Sequence, residues 1–445
     1  MVAVVFFPPS VYRTLRETTM AYRPYSGALR KSFERHVLGR TAGPAVCIVD
    51  MNRVRLQHRL WEQNLPNVRP HYAVKCNPDR QILKMMNSEL DVGVDCAGIN
   101  EISLCQDRSG GVYFRPEDVI LANPMKAPED LKRAHMLGIN LMTADCVEEL
   151  YKIKQCHPAA RVILRLQVDD TFSLCRFSEK FGTSVEDLPV LFETLNGLGL
   201  DAAGVSFHVG SGCKRAVAYD IALRTCRKAF DIAHDHGFTV ETGFDVLNVG
   251  GGFPGYKLPD ESESADFVEV AGAIRRGLKE YFPKHAGGAE GGSAAGLKLM
   301  AEPGRFYVAS SHTLYTTIVG KKRARGGEAY THYYINDGTY GSFNCIEKDH
   351  VQPRLEWHRV HESTGAQQQK LTEATVWGPT CDSLDCVQRN VLLPDLEVGD
   401  LLVAQNMGAY TTSAGVAFNG FPKPEMVYID EWQTAADSEN GLYNV

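Results

Sequence analysis

Between about residue 70 and residue 305 the chain repeats one pattern: a short apolar run rich in β-branched residues, then an amphipathic stretch. Eight such runs occur: Tyr72–Lys75, Gly93–Asp95, Val119–Ala122, Leu141–Thr143, Val162–Leu166, Gly204–His208, Val246–Gly250 and Lys298–Glu302. Helical stretches such as Glu148–Gln155 and Ala216–His236 lie between them. Eight strand-helix units suit a closed parallel (β/α)8 barrel of the TIM type, and an open doubly wound sheet is the alternative. The expected fold class is therefore α/β, with the barrel over residues 46–305.

The chemistry-bearing residues favour one end of these runs. Lys75, Asp95, Arg165, His208, the turn Gly250-Gly251-Gly252 and Glu302 all stand at or just past a C-terminal strand end. Barrel enzymes assemble their sites on that face.

After Arg305 the texture changes. His312–Val319, Thr331–Asn336, Glu373–Trp377 and Leu401–Gln405 are short and strand-like, separated by Gly, Pro and Asn. Residues 306–445 read as a mainly antiparallel β-barrel or sandwich domain, and residues 1–45 are expected to join it. The Gly/Ala-rich stretch Gly287–Gly296 reads as a flexible loop inserted before the eighth strand.

Individual motifs permit specific chemistry. Lys75 ends an apolar strand, where partial desolvation is expected to lower its pKa and free the amine for a Schiff base; a snorkelling surface lysine fits the same position. Gly250-Gly251-Gly252 lets backbone N–H groups approach a phosphate. Arg305, after the eighth strand, complements the turn after the seventh, the two loops at which barrels often hold phosphate. Glu302 suits a pyridinium nitrogen, or equally an ion pair with Arg305. His208 can stack on a flat ring or serve as a buried core histidine, and Ser211 can bond a phosphate. Cys381 and Asp382 follow a Gly-Pro turn, where a thiol can donate a proton and a carboxylate can hold an amine.

Composition narrows the alternatives. A net charge of −7 argues against general nucleic-acid binding. No apolar run is long enough to span a bilayer, and the opening Met1–Phe7 is too short for a signal peptide, so a cytoplasmic protein is expected. The twelve cysteines lack paired metal spacing and read as reduced thiols; no metal is expected.

Seven ordered motifs carry a resemblance over roughly residues 40 to 430. They are Tyr-Ala-Val-Lys-Cys-Asn, Phe-His-Val-Gly-Ser-Gly, Gly-Gly-Gly-Phe-Pro-Gly, Ala-Glu-Pro-Gly-Arg, Asn-Asp-Gly-x-Tyr-Gly-Ser-Phe-Asn-Cys, Trp-Gly-Pro-Thr-Cys-Asp and Met-Gly-Ala-Tyr-Thr. Together the sequence resembles the alanine-racemase-type, fold type III pyridoxal-phosphate decarboxylases, most closely the eukaryotic ornithine-decarboxylating branch. Asn248 stands where that family usually has Asp, and Glu347-Lys348 replaces its usual apolar-aromatic pair before Asp349.

The resemblance implies pyridoxal 5'-phosphate as cofactor and conversion of L-ornithine to putrescine and CO2. It implies that Lys75 carries the cofactor, Glu302 meets the ring nitrogen and His208 stacks on the ring. Ser211, Gly250, Gly251, Gly252, Arg305 and Tyr410 would hold the phosphate, with Asp95, Glu101 and Arg165 in support. Asp349 and Asp382 would converge on the distal amine of the substrate, Tyr340 and Phe418 would shape the pocket, and Cys381 would return the proton. Lys180 would lie on a mobile loop near the interface of a homodimer with shared active sites. Arginine or lysine as substrate, an antizyme-like regulator as partner, and a catalytically inactive homologue resembling antizyme inhibitor are the further readings. A racemase fits the Trp-Gly-Pro-Thr-Cys-Asp segment poorly.

Overall fold

The computed structural model describes residues 26–40, 43–255, 265–283, 296–323, 330–360 and 370–430. The loop expected at 287–296 lies outside them apart from its last residue, as do residues 1–25.

All eight expected runs form strands: Arg69–Ala73, Gly93–Cys96, Val119–Leu121, Leu141–Ala144, Arg161–Arg165, Asp201–Ser206, Val246–Asn248 and Lys298–Ala301. They pair in parallel in chain order, and the eighth returns to the first to close a barrel. Helices cover the outer faces of the strands and side chains fill the inside, which is why the runs are almost continuously apolar. Ile120, Ile163, Ala203, Val246 and Met300 meet in one cluster.

The helices start where short polar side chains can satisfy their first N–H groups. The Asp79 carboxylate accepts from the amides of Gln81 and Ile82 to open Arg80–Ser88. Asp266 and Glu269 form a reciprocal capping box at Phe267–Tyr281. The helix Val217–Asp235 buries Ala218, Ala222, Cys226, Ala229 and Ala233, a stripe at three- and four-residue spacing.

Two compact units result. The barrel unit holds the described residues of Asp50–His312 together with Gly408–Ser413; the second holds those up to Val49, Thr313–Met407 and Ala414–Ile429. The second is an eight-stranded sheet. Its long strand His312–Arg323 runs antiparallel to both Thr331–Ile335 and Leu401–Gln405. Leu355–His358 extends one side, antiparallel. On the other, Thr372–Trp377 pairs in parallel with Thr331–Ile335 and antiparallel with Cys386–Leu393. Ile318, Tyr333, Val376 and Leu402 lie in its core.

Two segments differ from expectation. Val46–Asp50, placed at the start of the barrel, instead pairs with His312–Arg323 and Glu425–Ile429. Gly408–Ser413, placed in the β domain, belongs with the barrel unit because its backbone bonds there. Tyr410 donates its N–H to the Cys76 carbonyl at 3.0 Å, and Asn77 Nδ2 donates to the Gly408 carbonyl at 3.0 Å. Among the described residues, no helix is long and apolar enough to cross a membrane.

Candidate active site

A pocket opens at the C-terminal ends of the barrel strands, lined by Ala73, Lys75, His208, Ser211, Gly252, Phe253, Glu302, Gly304, Arg305 and Tyr410. Lys75 leaves the first strand in a single 3-10 turn, Val74–Cys76. Its Nζ lies 2.5 Å from Oδ2 of the fully buried Asp95, on the second strand. This corrects the expectation of a lowered pKa. Burial does act to lower it, but the Asp95 carboxylate, with Tyr410 and Glu302, outweighs burial and holds the ammonium above its ordinary range. Glu101 accepts from the Ala97 amide at 2.6 Å and so closes the turn beyond Asp95.

Glu302 follows the eighth strand. Its Oε1 accepts from Asn248 Nδ2 at 2.7 Å, and Arg305 is directed elsewhere, to Ser211 Oγ at 3.1 Å. Burial first and Asp95 second push the Glu302 carboxyl up to about 7, against Lys75, the Asn248 donor and Arg165. The Arg165 guanidinium lies over the Phe181 ring at 5.1 Å.

His208 Nδ1 accepts from the Gly210 amide at 3.0 Å, which leaves the ring proton on Nε2. Burial, then Arg165 and Lys75, hold its pKa well below the usual range, so the ring is neutral. The glycine turn passes over it. Gly250 has φ +64°, and a Cβ there would stand 1.8 Å from the Phe207 carbonyl oxygen. A Cβ on Gly251 would stand 2.6 Å from His208 Nε2, and one on Gly252 2.6 Å from the Gly210 carbonyl oxygen. Only glycines fit this wall. The Arg305 guanidinium lies 5.1 Å from the Tyr410 ring centroid. Lys180 is exposed, its Nζ 5.0 Å from the Phe181 ring centroid.

In the β unit, Tyr340 Oη donates to Asp382 Oδ2, and the Tyr340 and Phe418 rings stack at 4.4 Å. Cys381 is exposed, its amide bonded to Asn419 Oδ1 at 3.1 Å. The Tyr340 hydroxyl and the Leu384 amide hold the Asp382 carboxyl below its usual range. Asp349 is buried, whereas Asp382 is only partly covered.

Sequence reading gave no role to Asp385, which ties the two loops together. It accepts from the amides and hydroxyls of Thr339 and Thr380, at 2.7 to 3.0 Å. Gly338 and Gly378 leave it room: a Cβ on either would stand 2.2 Å from its Oδ1. The spacing of Asp385 from Asp382 was the available signal. Asn248, a departure from the family pattern, bonds both the Gly250 N–H and Glu302, and no local sequence signal announces either contact.

The barrel pocket thus offers an amine, a carboxyl held at the end of the neighbouring strand, and a side-chain-free wall beside a guanidinium and a hydroxyl. That donor set fits pyridoxal phosphate: aldehyde, ring nitrogen and phosphate each find a counterpart. Residues 51–309 match the family model for the pyridoxal-binding domain of pyridoxal-dependent decarboxylases. The chain belongs to this family. Its cofactor is pyridoxal phosphate. Among family members, rat ornithine decarboxylase is 37% identical over 396 residues, covering 86% of this chain and 80% of the relative. Antizyme inhibitor 2 of Xenopus laevis is 39% identical over 393 residues, covering 86% and 80%. The crystal structure of the Paramecium bursaria Chlorella virus arginine decarboxylase superposes with a TM-score of 0.78 at 29% identity, covering 90% of this chain and 99% of that one.

Proposed function

We propose that this pyridoxal-dependent decarboxylase acts on L-ornithine, releasing CO2 and forming putrescine. The observation that carries the reading is the Tyr340–Asp382–Phe418 group beside Cys381: a carboxylate bonded to one of two stacked aromatic rings, next to an exposed thiol. A cationic substrate tail suits it, and a charge-assisted hydrogen bond to a carboxylate gives geometric selection as well as attraction. The similarity to rat ornithine decarboxylase supports ornithine among the basic amino acids.

When bound, pyridoxal phosphate supplies the electron sink that accepts the pair left as CO2 departs. The chain's own residues do the rest. Lys75 would hold the cofactor covalently through its Nζ, and Asp95, at 2.5 Å, fixes the position of that nitrogen. Glu302 keeps the ring nitrogen protonated. His208, held neutral, packs on the ring without adding a competing charge. Gly250, Gly251, Gly252, Ser211, Arg305 and Tyr410 hold the phosphate, and Glu101 and Arg165 brace the Lys75–Asp95–Glu302 group. Asp382 and Asp349 meet the distal ammonium, and the Cys381 thiol delivers a proton to the carbon that lost CO2. In this proposal the working unit is a homodimer in which one copy provides the barrel pocket and its partner provides Cys381 and Asp382.

A second reading is a regulatory protein, favoured by the similarity to an antizyme inhibitor. The presence of Lys75, His208, Glu302, Arg305, Cys381 and Tyr410 supports the enzyme. Incubating purified protein and pyridoxal phosphate with ornithine, lysine and arginine separately, and identifying the amine formed, tests both. Putrescine as the main product is expected; cadaverine or agmatine in excess overturns the substrate, and no amine from any of the three overturns the enzyme.

A further inference from the structure

We propose that Gln57 is a positioning residue for the phosphate of the cofactor, stapling the far end of the glycine loop to the turn that carries Arg305. The inference rests on the reading that Gly250, Gly251, Gly252 and Arg305 hold that phosphate.

Gln57 lies on the helix Met51–Asn64 and is buried. Its Nε2 donates to two main-chain carbonyls, that of Phe306 at 2.6 Å and that of Gly255 at 3.3 Å. Carbonyl oxygens can only accept, so the amide orientation follows from them: the nitrogen faces both. A buried amide donor shared between two distant segments is a specific arrangement, because either carbonyl left without it would be costly.

The two carbonyls belong to the two loops that flank the pocket, which Gly252, Gly304 and Arg305 line. The glycine loop runs from Gly250 to Gly255 and there meets the Arg305 backbone. A Cβ on Gly255 would stand 2.5 Å from the Arg305 carbonyl oxygen. Arg305–Val308 is a helix of only four residues. Its carbonyls all fall in the final turn, which depends on partners from outside the helix, and so short a helix does not hold itself. Gln57 supplies a donor to Phe306, the residue after Arg305. Its neighbour His58 adds a tie to the same short helix, with Nδ1 3.0 Å from the Tyr307 hydroxyl. The Gln57 amide spans both loops.

The consequence for a phosphate is geometric. Backbone N–H groups of the glycine turn and the Arg305 guanidinium must converge on one group, and a shift of one loop against the other spoils that convergence. Lys75 and Glu302 serve the aldehyde and the ring from the strand ends, so loss of the staple should weaken the phosphate contacts selectively.

That selectivity sets the test. The full chain, freed of cofactor, is titrated with pyridoxal phosphate and separately with pyridoxal, which has the same ring and aldehyde but no phosphate. Gln57→Met keeps the length and removes the donor. It should bind pyridoxal phosphate roughly tenfold more weakly, and pyridoxal within about twofold of the unsubstituted protein. Gln57→Lys, a donor without an acceptor, should recover most of the lost affinity. A residue needed only for folding predicts an equal loss for both compounds, so an unchanged ratio of the two affinities in Gln57→Met overturns the proposal. A Lys variant no better than Met overturns it as well. Should the Met variant fail to fold, Gln57→Asn, whose amide stops one carbon short of both carbonyls, is read the same way. Arg305→Ala tests the underlying reading and should abolish most of the preference for pyridoxal phosphate. A preference left intact there overturns the assignment of the phosphate to these loops, which is a distinct result.

Discussion

His71 makes the barrel acid-sensitive in a way that can be calculated. It lies on the first strand, four residues before Lys75, and its side chain is fully buried. It packs on Gly93 of the second strand so closely that a Cβ there would stand 2.3 Å from His71 Cδ2. Burial first, then the Arg69 guanidinium, pull its pKa from the ordinary 6.5 down to about 3, against the Arg69 carbonyl and Asp118. Above pH 6.5 the ring is neutral in both folded and unfolded chains and the stability is complete. As pH falls below 6.5 the unfolded chain takes up a proton that the folded chain refuses. Stability then drops by about 1.4 kcal/mol per pH unit, reaching about 5 kcal/mol near pH 3. That loss is comparable to the whole margin of many proteins. The assay is urea unfolding of the unsubstituted protein and of His71→Gln across pH 4 to 6.5, at one protein concentration. Carboxylates titrate alike in both, so the difference between the two curves isolates His71. The Gln variant should start less stable, through lost packing, and decline more shallowly by one proton's worth. Parallel curves would refute the reasoning and mean that the ring takes up its proton in the folded barrel without penalty.

Other outcomes follow from the site. Gly251→Ala should retain the fold yet weaken cofactor binding tenfold or more, since the added methyl strikes His208 Nε2 and the Glu302 carbonyl; unchanged affinity in an equilibrium titration would contradict this. Borohydride reduction of the holoenzyme should fix the cofactor on Lys75, as peptide mapping would show, and a label on another lysine would exclude it. Mixing inactive Lys75→Ala with inactive Cys381→Ala should restore up to about a quarter of full activity if sites are shared between two copies, and demonstrated subunit exchange without recovery would refute sharing. Asp382→Asn should lower kcat/KM for ornithine at least roughly tenfold, with a smaller effect on cofactor binding.

The barrel was legible because its strands are buried on both faces and helices intervene. The same property misled at Val46–Asp50, a five-residue buried run that reads alike in a barrel or in another sheet. Cys386–Leu393 escaped notice because Asn390, at φ +54°, interrupts its alternation. The strand end locates Lys75, but it does not reveal its protonation. Its partner, Asp95, comes from a neighbouring strand, and desolvation without partners predicts the wrong sign. Glu302 and Arg305 are close in sequence and were equally readable as an ion pair. The structure separates them, one to Asn248 and one to Ser211, because the glycine turn and the sixth-strand loop reach into the pocket from elsewhere in the chain.

The six residues Gly408–Ser413 limit how this protein can be dissected. They interrupt the β unit between its strands Leu401–Gln405 and Glu425–Ile429, yet Tyr410 lines the barrel pocket. An expression fragment ending at His312 would comprise all eight barrel strands and still lack Tyr410 beside Arg305. Exchange of the β unit for that of a relative would carry this stretch with it, so a chimera inherits part of its barrel pocket from the donor of the other unit. Grafting experiments that treat the barrel as a separable cassette therefore need to transplant Gly408–Ser413 as part of it.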